Sequence, residues 1–239
     1  MAQTRRESPL ARLRYRVAAA NLARHLPGEP CRVLDVAGGA GGDALPLAAL
    51  GHEVTLVDPA GALLECARTH AEGLPGRVHV VQAHAEDVPH LFTAAAFDVV
   101  LCHGLLHHVD DRVALLRAVT APLRPGGLLS VVGPNPAADP LVAAAGEGDL
   151  DRALALAGSG RVWVQEVRAA LPACTADDVR ADLTALGAEP IAHYGIRCVA
   201  DLVAPPVDPD ALEVLELALA DRMPYPLLAR FFHLLARRS

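Results

Sequence analysis

The chain has 239 residues and not one lysine. That absence excludes the loop G-x-x-x-x-G-K-[ST], whose lysine reaches the outer phosphates of a nucleotide, and so excludes an ATPase built on it. Arginine stands wherever a basic residue is needed and alanine is abundant, a pairing that reflects base composition of the coding DNA rather than function. Long apolar runs are also missing. Hydrophobic residues make up 52% of the chain, yet no stretch reaches the roughly 20 residues of a membrane-crossing helix. The five cysteines, Cys31, Cys66, Cys102, Cys174 and Cys198, are odd in number and scattered with no C-x-x-C. A zinc site and a disulfide framework are therefore not expected, and reduced cytoplasmic thiols are. Behind Arg5, Arg6, Arg12, Arg14 and Arg16 there is no apolar signal core, so export is not expected either.

A basic footprint is absent as well. The formal net charge is −7, whereas electrostatic binding of nucleic acid calls for clustered positive charge. Locally, residues Met1–Pro30 hold six arginines against Glu7 and Glu29, which reads first as a solvated helix face. No internal repeat or low-complexity linker divides the chain. Its length suits one α/β domain over residues 1–239, with an N-terminal helical segment over 1–30.

What is present is one strong unit. Val33-Leu34-Asp35-Val36 is an apolar run carrying an acid near its end, Ala37-Gly38-Gly39-Ala40-Gly41-Gly42 turns, a short helix follows, and Glu53-Val54-Thr55-Leu56-Val57-Asp58 is a second apolar run ending on an acid. Glycines let such a turn take positive φ and let a ligand approach the backbone. The second acid, about 20 residues on, is placed to accept hydrogen bonds from both hydroxyls of a ribose. Glycine spacing departs from the G-x-G-x-x-G of nicotinamide and flavin binding.

Periodicity predicts a helix over Leu10–Leu26 and strands near Cys31–Ala37, Glu53–Asp58, Arg77–Ala83, Phe97–Cys102 and Gly127–Gly133. Helical stretches at Gly42–Leu50, Ala60–Glu72 and Asp111–Leu123 lie between them, an alternation that predicts a doubly wound, mostly parallel sheet. After Gly133 the alternation stops. Prolines and glycines run through 134–172 without a strand pattern, up to a helix at Thr175–Leu186 started by Thr175 and Asp178. An insertion at that edge of an open sheet stands over the ligand crevice, so 134–172 reads as a helical lid. A strand at Ile191–Leu202, a helix at Asp208–Asp221 and a strand at Phe231–Ala236 complete seven strands.

The order Asp35, small residues, Gly39, Gly41 and then Asp58, with Leu123-Arg124-Pro125-Gly126-Gly127-Leu128 before the fifth strand, resembles class I S-adenosylmethionine-dependent methyltransferases. More closely, Leu13-Arg14, Ala85-Glu86-Asp87-Val88, Cys102-His103-Gly104-Leu105-Leu106, Tyr194-Gly195-Ile196-Arg197, Pro224-Tyr225 and Arg230-Phe231-Phe232-His233 resemble the SmtA-like tRNA 5-carboxymethoxyuridine methyltransferases. The resemblance implies a Rossmann-like fold and S-adenosylmethionine as cofactor. Carried over residue by residue, Arg14 pairs with the methionine carboxylate, Gly38 passes close to it, and Asp35 supports the loop. Asp58 takes the ribose, Ala85 and Glu86 flank the adenine, and His103 lies by the methionyl end. In the family the first residue of the loop is glycine; Ala37 suits that place if its φ is negative.

For the reaction, His103 or His107 is the candidate base where the acceptor needs one, since imidazole titrates near neutral pH. Tyr194, Arg197 and Tyr225 are candidate substrate contacts by the same resemblance. Glu86-Asp87 also reads as a helix start, with Asp87 as its cap. Relatives carry a lysine cluster in the lid, whereas 134–172 here has Arg152, Arg161 and Arg168 against five acids. A small-molecule acceptor, methylated on a carboxylate or hydroxyl oxygen, is therefore favoured over a modified wobble uridine of tRNA. A cyclase or lyase that keeps the cofactor without transferring its methyl stays open. No metal and no membrane partner are expected, and a homodimer is kept open.

Overall fold

In the computed structural model the described residues are 8–164, 169–204 and 206–239. Arg5, Arg6, Glu7, Glu166 and Arg168, counted above in the basic segment and the lid, lie outside them. The runs of Val, Leu and Ile form β1 (Arg32–Val36), β2 (Glu53–Asp58), β3 (Val78–Gln82), β4 (Phe97–His103) and β5 (Leu123–Pro134), all parallel. Downstream come the short strands β6 (Arg161–Val164) and β7 (Ala169–Pro172), then β8 (Ala188–Ile196) and β9 (Phe231–Arg238). Seven strands make one sheet in the order β3-β2-β1-β4-β5-β9-β8, with β9 antiparallel to both neighbours. The order reverses beside β1, and the crevice between β1 and β4 is where an open sheet of this kind binds ligands.

Helices cover both faces: α1 (Pro9–Ala23), α2 (Leu45–Ala49), α3 (Gly61–His70), α4 (Val88–Leu91), α5 (Arg112–Thr120), α6 (Ala138–Leu141), α7 (Leu150–Leu156), α8 (Ala176–Ala185), α9 (Pro209–Leu219) and α10 (Tyr225–Leu228). Strand side chains alternate between faces. Leu34, Val36, Val100, Leu129 and Leu234 pack with Leu116 of α5 and Leu183 of α8. Val33, Leu101, Leu128 and Leu235 face the other way, packing with Leu22 and Leu47. Beside them Leu13 and Val17 of α1 pack with Val132, Ile196 and Leu212 of α9. The expected cap is present: Thr175 Oγ1 accepts from the Asp178 N–H at 3.1 Å and the Asp178 carboxylate accepts from the Thr175 N–H at 2.8 Å.

Three expectations are corrected. Among its described residues the segment 134–172 is helical only as far as Leu156; β6 and β7 pair as an antiparallel hairpin, Arg161 opposite Pro172 and Val164 opposite Ala169. Arg161-Val162-Trp163-Val164 suits a strand, but four residues are too short a run to show alternation. The strand placed at Ile191–Leu202 is β8, ending at Ile196, because Arg197 takes φ +59. Glu216 of α9 then holds the next turn, accepting from the N–H groups of Cys198, Val199 and Ala200 at 2.6, 2.9 and 2.8 Å. Ala37 has φ +61 rather than a negative value. A left-handed alanine is strained by its Cβ, so Ala37→Gly should be neutral to stabilising, by up to about 1 kcal/mol after the extra entropy of an unfolded glycine is subtracted. Thermal melts of the two proteins check this; a clear loss of stability would mean that the Ala37 methyl packs usefully.

Candidate active site

Asp35 near the end of β1 and Asp58 at the end of β2 bracket the glycine loop. Asp58 is 7% exposed, and its Oδ2 accepts from the Gly39 N–H at 2.9 Å while Oδ1 accepts from the Ala60 N–H at 2.8 Å. A carboxylate offers about four lone-pair sites, so the loop contacts leave capacity for a diol. Asp35 is buried and its Oδ2 has no hydrogen-bond partner. Burial, with Asp43 nearby, pushes its carboxyl well up against the opposing pull of Arg14. At Gly38 the backbone passes directly over that acid: a Cβ would stand 2.6 Å from Asp35 Oδ2 and 2.7 Å from Leu56 Cδ2.

The residue that organises this end of the site is one the sequence reading passed over. Asp43 sits at the entry to α2 as a helix cap would, yet α2 has no side-chain cap. Its carboxylate instead meets Arg14 Nη1 at 2.9 Å and His103 Nδ1 at 3.0 Å. Burial alone would raise the Asp43 carboxyl; the His103 imidazole and the Arg14 guanidinium outweigh it and hold the group well below the usual carboxylate range. Arg14 thus reaches Asp43 from α1, and lies 4.7 Å over the ring of Tyr15.

His103, expected as a base, is placed differently. Its Nδ1 is turned to Asp43 and its Nε2 lies 2.8 Å from Ser130 Oγ. With Nε2 hydrogen-bonded to Ser130 and Nδ1 buried against Asp43, neither nitrogen is turned to the site. His107, the other candidate, is half-buried in a turn over Leu106–His108. That turn lines a cavity of about 380 Å³ with His108, Asp110, Arg112 and, from the hairpin side, Leu171 and Pro172. Ala85 and Glu86 form a single turn after β3, at the same sheet edge as Asp58. Glu86 is exposed, and Asp87 caps the turn by accepting from the His84 N–H at 3.1 Å.

Two of the three candidate substrate contacts are committed elsewhere. Tyr194 is 6% exposed, its hydroxyl 2.7 Å from His25 Nε2 beneath α1. Arg197 is paired with Asp201, Nε to Oδ2 at 2.9 Å and a second contact through Nη2. Tyr225 stays exposed at the start of α10. The hairpin is fastened at its base: buried Asp139 accepts from the Trp163 N–H at 2.7 Å and pairs with Arg230, whose Nη2 donates to Trp163 O at 3.2 Å. Arg161 donates to Ala170 O within the hairpin. Three of the four described arginines of the N-terminal segment are paired, Arg14 as above, Arg16 with Glu213 at 2.8 Å and Arg24 with Asp221 at 2.7 Å. Among the described residues no cluster of three or more metal-ligating side chains occurs, and no helix is long and apolar enough to cross a membrane.

Glycine loop, ribose-type acid and the crevice beside β1 meet at one edge of the sheet, and comparison with known families matches residues 33–127 to the methyltransferase domain. Residues 33–127 are similar to that domain. A ubiquinone biosynthesis O-methyltransferase of Methylocella silvestris is 41% identical over 107 residues, 43% of this chain and 40% of that protein. The tRNA 5-carboxymethoxyuridine methyltransferase of Escherichia coli (strain K12) is 36% identical over 104 residues, 42% of this chain and 39% of that one. The chain therefore matches about two fifths of the length of these relatives. Fold likeness extends further. The Burkholderia thailandensis 1,6-didemethyltoxoflavin-N1-methyltransferase, solved with 1,6-didemethyltoxoflavin and S-adenosylhomocysteine, superposes with a TM-score of 0.59 at 23% identity over 95% of this chain and 78% of that one. Asp35, Asp43, Asp58, His103 and His107 lie inside the methyltransferase domain as matched, whereas Arg14 comes from the helix before it.

Proposed function

We propose that the protein is an S-adenosylmethionine-dependent methyltransferase acting on an oxygen of a small-molecule acceptor. The observation that carries the cofactor is the loop bracketed by Asp35 and Asp58. A buried carboxylate oxygen without a partner at Asp35 suits the cationic end of the methionine moiety, Asp58 suits the ribose, and Gly38 leaves the backbone open where a Cβ would collide. When bound, S-adenosylmethionine supplies a methyl on a sulfonium, which leaves as a neutral thioether once the acceptor oxygen has attacked. What remains for the chain is to hold that oxygen in line and exclude water, and positioning of this kind is worth about 7–11 kcal/mol of barrier. A carboxylate acceptor needs no base. A hydroxyl does, and His107 stands at the wall of the cavity beside His108.

The small-molecule reading is supported by a cavity of about 380 Å³ closed on one side by β7, and by the pairing of Arg14, Arg16 and Arg24 with acids. Those three guanidiniums are thereby partly neutralised toward phosphates. The E. coli relative favours tRNA as a second reading. Labelled methyl groups followed from S-adenosylmethionine into a low-molecular-weight extract and into total tRNA test the two. Label is expected in the small-molecule fraction, with only weak tRNA retention that falls steeply with salt, at about −0.7 to −0.9 in log–log slope per phosphate neutralised. Submicromolar tRNA binding at physiological salt, or label in a wobble uridine, would promote tRNA.

A further inference from the structure

Polar groups interrupt an otherwise apolar sheet face beneath α1. Leu101, Leu128 and Leu235 continue that face on β4, β5 and β9, but His103, Ser130 and His233 stand in the adjoining places, Ser130 and His233 fully buried. Ser130 Oγ lies 2.8 Å from His103 Nε2 and 2.8 Å from His233 Nε2. One hydroxyl has one proton to give, so it donates to one imidazole and accepts an N–H from the other. If it donated to His233, that ring, kept neutral by its burial, would carry its proton on Nδ1, which has no partner. If it donates to His103 instead, His233 Nε2–H points at Ser130 and the His103 proton sits on Nδ1 against the Asp43 carboxylate rather than on a nitrogen with no oxygen beside it. The second arrangement places each buried N–H next to an oxygen. His103 is then bare at Nε2 and protonated at Nδ1, the nitrogen 3.0 Å from Asp43.

We propose that Ser130 and His233 are positioning residues: they fix the tautomer of His103, which with Arg14 fixes the Asp43 carboxylate at the glycine loop. A purely structural role gives a poor account of the trio, since apolar side chains would fill the same sheet face without desolvating two imidazoles and a hydroxyl. The effect on ligand binding rests on the methyltransferase reading; the tautomer does not.

Long-range ¹H–¹⁵N spectra of the full chain without ligand, with ring signals assigned from His103→Asn and His233→Gln variants, read the tautomers directly. His103 is expected protonated at Nδ1 and bare at Nε2, and His233 protonated at Nε2. Ser130→Ala should bring His103 into tautomeric exchange and lower affinity for S-adenosylhomocysteine on the order of ten-fold, the value of one hydrogen bond to a charged network. Ser130→Thr, which keeps the hydroxyl, should restore both. His233→Leu against His233→Gln makes the same comparison from β9 if Ser130→Ala does not fold. The proposal is overturned if His103 is bare at Nδ1, or if folded Ser130→Ala and His233→Leu leave its ring signals unchanged. Wild-type protein that shows the expected tautomers but does not bind S-adenosylhomocysteine would count against the methyltransferase reading and not against the relay.

Discussion

Asp58→Ala should weaken binding of S-adenosylhomocysteine by about 2–4 kcal/mol, on the basis of about 1.5–3 kcal/mol for each hydrogen bond to a charged group, less compensation by water. The carboxylate has two tasks at once. On the proposed function it accepts from the ribose, and it already accepts from the N–H groups of Gly39 and Ala60, so the same side chain also fastens the turn entering α3. Removing it frees the loop as well as deleting the ligand contact. Asp58→Asn, which keeps one acceptor oxygen and loses the charge, should fall between the two proteins. Titration calorimetry on all three checks the series. Equal affinity of wild type and Asp58→Ala would exclude the ribose assignment.

The glycine loop and its two acids were legible because their evidence is local: strand, turn and acid follow one another within 26 residues, Val33 to Asp58. The same holds for the strand positions as far as β5, where each run of β-branched and leucine residues is long enough to declare itself. The relay was not legible. Asp43, His103, Ser130 and His233 come from four separate places in the chain, and nothing in a single sequence says that a serine in an apolar strand lies between two histidines. Tyr194 shows the opposite error: its family-like neighbourhood suggested a rim, but the pleat turns it inward under α1, where His25 takes its hydroxyl. The Asp139–Arg230 clamp joins residues 91 apart. Long-range pairing of that kind leaves no periodic trace.

Arg14→Met should cost about 3–5 kcal/mol in stability, the usual penalty for leaving one member of a buried ion pair behind. The side chains of Arg14 and Asp43 are only 15% and 12% exposed, so solvent does little to screen the loss. His103 stays beside Asp43 and offsets part of it, which puts the expectation at the lower end of that range. The pH dependence has a definite sign. The folded-state Asp43 carboxyl is held well below its usual range despite its burial, by His103 and Arg14. A depressed carboxylate contributes stability that is complete above the unfolded value, about 3.9, and is lost as pH falls through the folded value. Without Arg14 the folded carboxyl titrates higher, so the stability that its depression contributes shrinks. The acid unfolding midpoint of Arg14→Met should therefore move upward in pH. Thermal melts at neutral pH and an acid titration followed by circular dichroism measure the two effects separately. Superimposable melts and acid midpoints would mean that Asp43 is held by His103 alone, and Arg14 would then be free to leave the loop when a ligand carboxylate arrives.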